Sequence, residues 1–503
     1  MGRLDTNSIF GSSNKQHFLK SWLYRIIIKE KLLNVFGLCF FLFSGIIIAL
    51  GIGSTGIIFP LIILAILIGL PVVYAIVFFP VFGMIFLLVS AYLLFSVTRF
   101  GIDFPFGTLM DGIELLLLLG LFIKRRGPIE WRIHKDPISI MIFAWIGYNI
   151  IELINPESNS MMAWFFTIRS VAFVMLMYFV FRFHIRSVEV IRMILKTWLF
   201  LSLLAAVYAL KQEYLGFSAF EETWLHSDPL IYDLLFIDGH WRKFSFLSDP
   251  VAFSYNMVIS SILAICLLNA TTKIWKRIVL ISMAFIFLWA MSSSGTRGAY
   301  VLIPAALFFY TVLNFNKTVF LLAIVAAMGI TVLIFIPTSN PTLYRFQSSF
   351  KPSTDASYLL RKANQDRIRP YIITHPLGGG LGATGVWGKR FSPNSLLANF
   401  PPDSGYVRVA VELGWLGLLI FCILMFVILM KSIQNYFRIR DPELKAYCLA
   451  MILIIFALNI GNYPQEALVQ FPTSIYFYLV AALASVTWQI DKSITKKSKA
   501  DGE

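Results

Sequence analysis

Apolar runs separated by short polar intervals occupy almost the whole chain. Runs of roughly 15 to 25 residues, the length a helix needs to cross a bilayer, begin near Leu33, Ile57, Val81, Gly112, Ile138, Trp164, Ile191, Val251, Ile278, Gly298, Thr318, Gly405, Ala446 and Phe471. The pattern predicts an all-α, polytopic transmembrane bundle of about 14 spans (roughly 12–14). The uncharged stretch from Ile57 to Val97 reads as two helices turning at Phe79-Pro80, and the run from Gly112 to Ile123 is short for a span.

Two polar intervals interrupt the alternation at length, 211–249 and 338–404, and long loops are usually functional rather than connective. The expected organisation is a cytoplasmic or interfacial segment over 1–31, helices 1–11 over 32–337 with the first long loop among them, the large polar loop 338–404, helices 12–14 over 405–490 and a basic tail over 491–503. From Arg361 to Gly385 the second loop combines charge with backbone freedom, and it ends on Pro-Pro-Asp403-Ser-Gly as the next apolar run begins.

Hydrophobic residues fill 58% of 503 positions and charged residues 14%, a balance that excludes a water-soluble domain of this size. The net charge of +15 would suit nucleic acid if it were gathered on one face, but it is spread over many short loops, so topology accounts for it. An even span count puts both basic ends on one side, which the positive-inside rule makes the cytoplasm. Lys124-Arg-Arg, Arg182/Arg186, Lys273/Lys276/Arg277 and Lys431/Arg438/Arg440 are then inside. Thr98 to Met110, Asn155 to Ala163, Lys211 to Asp249, Ser292 to Arg297, Thr338 to Ser404 and Gly461 to Gln470 are outside. The basic segment Phe18 to Lys31 reads either as an interfacial amphipathic helix or as a plain flank, and it lacks a cleavable signal pattern. Cys39, Cys266, Cys422 and Cys448 sit in apolar runs without metal or disulfide spacing.

Two patterns invite a false reading. Gly380-Leu-Gly-Ala-Thr-Gly385 fits GxGxxG, but the segment after it, Val386-Trp-Gly-Lys-Arg-Phe-Ser-Pro, is loop-like, and no Gly-Lys-Ser/Thr follows for a nucleotide loop. What remains is a flexible loop able to bring N–H groups to an anion or a sugar. His226 and His240 share an interval with Asp228, Asp233 and Asp238, at spacings that match no metal motif, so no metal is assigned.

Outward arginines run against the positive-inside rule and so call for a reason. Arg169 lies inside the sixth span, Arg242 precedes Lys243-Phe-Ser-Phe-Leu-Ser-Asp-Pro250, Arg297 closes Ser292-Ser-Ser-Gly-Thr at a helix end, and Arg361, Lys362, Arg367 and Arg369 crowd together. One such arginine would ordinarily snorkel to head groups. Several on one leaflet suit a phosphate or diphosphate, which guanidinium groups bind bidentately. Asp403 fits two jobs, capping the next helix or taking a proton from a hydroxyl. Arg408 and Glu412 are spaced for an intrahelical ion pair, although Arg408 also stands at the outer face as a substrate contact. His375 reads as a base or as a turn-shaping hydrogen bonder.

At these residues the chain resembles the bacterial O-antigen ligase and O-antigen polymerase superfamily. The resemblance rests on Arg242 through Asp249-Pro250, on Ser293-Ser-Gly-Thr-Arg297-Gly298, on Arg361 through His375-Pro-Leu-Gly-Gly-Gly-Leu-Gly382, and on Asp403-Ser-Gly-Tyr406 leading to Glu412-Leu-Gly-Trp-Leu-Gly417. It covers about residues 240–430 well and the earlier spans in general character. It implies metal-independent transfer or polymerisation of undecaprenyl-diphosphate-linked oligosaccharide at the periplasmic face of the inner membrane, without a cofactor. Arg242 and Arg297 would hold the diphosphate, assisted by Arg361 or Arg367. Asp403 would act on an acceptor hydroxyl of a glycan, lipid or protein, and the loop bearing Gly378, Gly380 and Gly382 would close over the sugars. A chain-length regulator is an allowed partner. The family's ligases carry a catalytic histidine where this chain has Asp403, so ligase against polymerase stays open. A transporter or flippase of lipid-linked glycans is the rival reading, but internal repeats and paired midplane charges are not evident in the sequence.

Overall fold

The computed structural model describes residues 35–56, 58–101, 106–123, 136–237, 239–339, 341–351 and 356–500. The segment Phe18–Lys31, open to an interfacial helix or a plain flank, and the Lys124-Arg-Arg cluster lie outside the described residues.

Each apolar run becomes helix, because a backbone in lipid must satisfy its hydrogen bonds within the segment. In chain order these are α1 (Val35–Thr55), α2 (Ile58–Phe78), α3 (Pro80–Leu93), α4 (Phe106–Ile123), α5 (Pro137–Ile151), α6 (Met161–Val171), α7 (Met177–His184) and α8 (Val188–Tyr214). After the 211–249 interval come α11 (Pro250–Leu267), α12 (Ile274–Ser292), α13 (Arg297–Leu313) and α14 (Lys317–Phe335); the last three are α18 (Gly405–Arg438), α19 (Pro442–Gly461) and α20 (Thr473–Ala500). The turn at Phe79-Pro80 falls between α2 and α3, with Pro80 opening α3 where its missing N–H costs nothing. Among the described residues, 11 helices are long and apolar enough to cross a membrane, and two apolar stretches, Ile62–Phe78 and Arg297–Leu313, are shorter. The protein is a multi-pass helical membrane bundle.

The two long polar intervals differ from expectation, being largely helical. The first holds α9 (Ala219–Leu225), α10 (Pro229–Leu235) and a two-stranded hairpin, β1 (Phe236–Ile237) and β2 (His240–Trp241), packed around Leu225, Leu235 and Phe244. The second holds α15 (Pro341–Ser348), α16 (Ala356–Thr374) and α17 (Gly385–Phe391). The expected tail from 491 also continues α20 as helix to Ala500.

The chain divides into units at Tyr74 and Ala75. In the first, α1 is mostly exposed apolar surface. In the second, α11 and α19 are buried along most of their length and α20 from Thr473 to Thr487, whereas α14 has no buried residue. Hydrophobicity cannot sort helices that are all as apolar as lipid; polar and small residues do so. Tyr92 of α3 bonds Ser202 of α8 at 2.7 Å, Ser202 bonds Ser260 of α11 at 2.8 Å, and the Trp198 indole N–H donates to Ser260 at 3.0 Å.

Polar segments gather at opposite ends of this second unit. At one end, Arg182 pairs with Asp136 at 2.8 Å, Arg192 with Glu443 at 2.6 Å, and the Asp441 N–H donates to Asp491 at 2.9 Å. At the other, Arg99 donates to the carbonyls of Ser245 and Leu247, Asn155 to that of Leu377, and Ser248 to that of Phe471. The segments that the sequence assigns to one side therefore meet one another.

Candidate functional site

Arg242 leaves the hairpin directly after β2, which carries it to the turn between α12 and α13. Its Nε donates to the Ser294 carbonyl at 3.1 Å, Nη2 to the Thr296 hydroxyl at 3.0 Å and Nη1 to the Leu234 carbonyl at 3.4 Å. All three acceptors are neutral. Burial pushes its pKa down to about 10; Asp249 opposes this, while the charges of Arg345 and Arg297 push the same way. Arg242 is thus still a full cation at neutral pH. Asp249 is committed to capping α11, accepting from Val251 N at 2.8 Å and Ala252 N at 2.9 Å. Arg242 is thus met by neutral acceptors and by the charges of two further arginines, an arrangement suited to an anion.

The turn itself requires glycine at 295. Its φ is +64°, and a Cβ there would lie 3.2 Å from Arg345 Nη1 and 3.5 Å from Arg242 Cγ. Arg297, half-buried, opens α13 immediately beyond.

Residues 361–374, expected as loop, form most of α16, and helical spacing sorts their side chains. Arg361, Asn364, Gln365, Ile368 and Tyr371 lie on the sheltered face, while Arg367 and Arg369 are exposed. The Arg361 charge reaches the Tyr255 hydroxyl, which donates to the Gly461 carbonyl at 3.0 Å and faces Gly298, one residue beyond Arg297. One turn along α16, Asn364 Nδ2 donates to Asp403 Oδ2 at 3.1 Å. The cap of α18 is Ser404, whose side chain accepts from Val407 N at 3.4 Å. Of the two jobs open to Asp403, capping therefore belongs to its neighbour. Asn364 thus joins α16 to Asp403, Arg361 lies one turn before it on the same face, and Tyr255 stands between the Arg361 charge and the turn that bears Arg297.

The glycine loop departs from the expectation of a flexible element. Gly378, Gly380 and Gly382 are buried with positive φ, and the loop is wedged into a break in α18. Gly414 interrupts that helix at φ 66°, ψ −176°. Gly379 N donates to the Val411 carbonyl at 2.9 Å and Tyr148 to that of Leu413 at 2.8 Å, so backbone freed by the break is satisfied inside protein. The loop N–H groups do meet an anion, and it is the protein's own: Gly382 N and Thr384 N donate to Glu412 at 3.0 and 3.2 Å. Beneath lies a cavity of ≈ 40 Å³ lined in part by Leu381, Arg408 and Glu412, large enough for water and too small for a sugar. The segment after the glycines is the short helix α17 rather than a loop, and what precedes them is α16 rather than a strand, which is the ground on which a dinucleotide fold is set aside.

Arg408 makes the expected pair with Glu412 at 3.2 Å and a second with Glu466 at 2.7 Å, so its guanidinium is already flanked by carboxylates. Arg169 pairs with Asp111, and its charge lies 5.2 Å from the centre of the Phe166 ring. The His375 ring stacks on Tyr371 at 3.9 Å, and its Nδ1 is 2.9 Å from both the Tyr371 carbonyl and Thr374 Oγ1, closing α16. His226 and His240 are exposed, and no metal-holding cluster occurs among the described residues; Asp238 lies outside them.

Residues 278–422 match the O-antigen ligase family profile, a stretch that holds the Arg297 turn, α16, the glycine loop and Asp403. A curated O-antigen polymerase of Salmonella muenchen is 26% identical over 194 residues, covering 36% of this chain and 45% of that protein. Over this stretch the chain is similar to O-antigen ligases and O-antigen polymerases. It thus spans under half the length of this superfamily relative. Against the superfamily pattern, three residues went unnoticed in the sequence. Arg345 stood alone, away from the arginine-rich 361–369 run, Asn364 could be placed only once α16 was a helix, and Glu466 follows a helix end with no motif around it.

Proposed function

We propose that this chain transfers or polymerises undecaprenyl-diphosphate-linked oligosaccharide on the periplasmic face of a bacterial inner membrane, without a metal. The observation that carries the reading is that the charges of Arg297 and Arg345 gather on Arg242 at one turn, within the polar segments that also hold the Asn364–Asp403 pair. In the reaction, an acceptor hydroxyl oxygen attacks the anomeric carbon of the donor sugar and the bond from that carbon to the diphosphate oxygen breaks. Undecaprenyl diphosphate departs with the electron pair, and Arg242 and Arg297 offset its growing charge. Asp403 takes the hydroxyl proton; with Asn364 donating to Oδ2, Oδ1 is the oxygen left to receive it. Arg361 fits the assisting position on the sheltered face of α16, whereas Arg367 and Arg369 face outward and suit distal sugars or head groups. The loop of Gly378, Gly380 and Gly382 acts as a rigid floor rather than a closing flap. Arg408 is a brace between that floor and the 462–472 segment. Acceptor identity and any chain-length regulator lie with surfaces beyond these residues.

The test is a proteoliposome assay with the full chain and undecaprenyl-diphosphate glycan. Free undecaprenyl diphosphate together with a lengthened or transferred glycan is expected, and Arg297→Ala should abolish both. Relocation of intact donor across the bilayer without new product would show a transporter instead.

A further inference from the structure

We infer that Arg345 is a direct contact for the donor's diphosphate, with more donor capacity still open than Arg242. The inference rests on the transferase reading and extends it to a residue on α15.

Arg242 has three of its five N–H donors committed to protein oxygens. Arg345 has one, Nη2 to the Ile237 carbonyl at 2.9 Å. Among the described residues no carboxylate pairs with it. Its Nη1 lies over Gly295, the position where a Cβ would come within 3.2 Å, so the guanidinium is held against the turn that also presents Arg242 and Arg297. The charges are close enough for Arg345 and Arg297 each to press on Arg242.

Three independent elements are needed to hold like charges together in this way. Helix α10 and the hairpin hold two of them, through Leu234 to Arg242 and Ile237 to Arg345. The rest of α15 is anchored by Gln347, whose side-chain N–H groups reach the carbonyls of Leu333 and Ile336 at 3.0 and 2.6 Å. Repulsion between guanidinium groups would part them on a free surface; a fold that restrains them is set up for a ligand with more than one negative charge. A diphosphate presents oxygens on two phosphorus atoms, so Arg242 and Arg345 can each engage one, whereas a monophosphate would leave one of them unmatched.

The measurement is equilibrium binding of undecaprenyl diphosphate and undecaprenyl monophosphate to the full chain in detergent, at fixed salt. Wild type, Arg345→Ala, Arg345→Lys and the exposed control Arg390→Ala are compared, with thermal unfolding to establish that each is folded. Arg345→Ala should bind the diphosphate lipid about 10-fold or more weakly and the monophosphate within about 3-fold of wild type; Arg345→Lys should recover part of the loss, and Arg390→Ala should lose nothing. Equal diphosphate binding by wild type and folded Arg345→Ala or Arg345→Lys would overturn the assignment while leaving the transferase reading intact. Failure of wild type to prefer either anionic lipid over undecaprenol would overturn both.

Discussion

Arg408 shows how a side chain's meaning depends on partners that sequence spacing does not reveal. The i,i+4 pair with Glu412 is legible in the chain; the second carboxylate arrives from Glu466, after the next helix. Burial raises the pKa of the Glu466 carboxyl above its usual value and Arg408 opposes the shift. The folded state then holds that proton more tightly than the unfolded chain does. Its contribution to stability is fully present below the unfolded-state value and is lost as pH rises through the folded-state one. Between about pH 5 and pH 8, wild type should therefore lose more thermal stability in detergent than Glu466→Gln, which carries no titrating group at this position. Equal losses would contradict this account of Glu466.

At the scale of elements, the break in α18 is the feature on which the site depends. A Cβ on Gly414 would lie 1.9 Å from the Pro376 carbonyl oxygen, and φ of 66° is strained for any L side chain. Gly414→Ala should cost about 3 kcal/mol or more, read from unfolding in detergent, because clash adds to backbone strain. A loss below about 1 kcal/mol would mean that the loop and helix can separate without consequence. The elements inside lipid were legible because their period and length follow from the bilayer. Those in the two polar intervals were not. Arg361 to Thr374 has the spacing of a helix with one sheltered face, but high polarity and Pro370 masked it. The glycine run signalled positive φ correctly, yet nothing local said that its N–H groups would be taken by Glu412, thirty residues along the chain from Gly382.

At the scale of the molecule, helices sorted by small and polar contacts deliver polar segments to two ends, and the arginine cluster, α16 and Asp403 share one of them. Charge patterning made this arrangement legible, since the alternation of basic loops fixes which intervals belong together. The individual contacts were not legible: Asn364 reaches Asp403 only through the packing of α16 on α18, and Arg345 reaches the Gly295 turn only through the placement of α15. In the proposed reaction the guanidinium groups bind the leaving diphosphate and Asp403 handles the proton. The most direct test is steady-state turnover of undecaprenyl-diphosphate glycan by Asp403→Asn and His375→Ala. Asp403→Asn should keep KM for the donor within about 3-fold and lower kcat by about 100-fold or more, while His375→Ala retains most of its rate. Full kcat in Asp403→Asn together with its loss in His375→Ala would contradict the account.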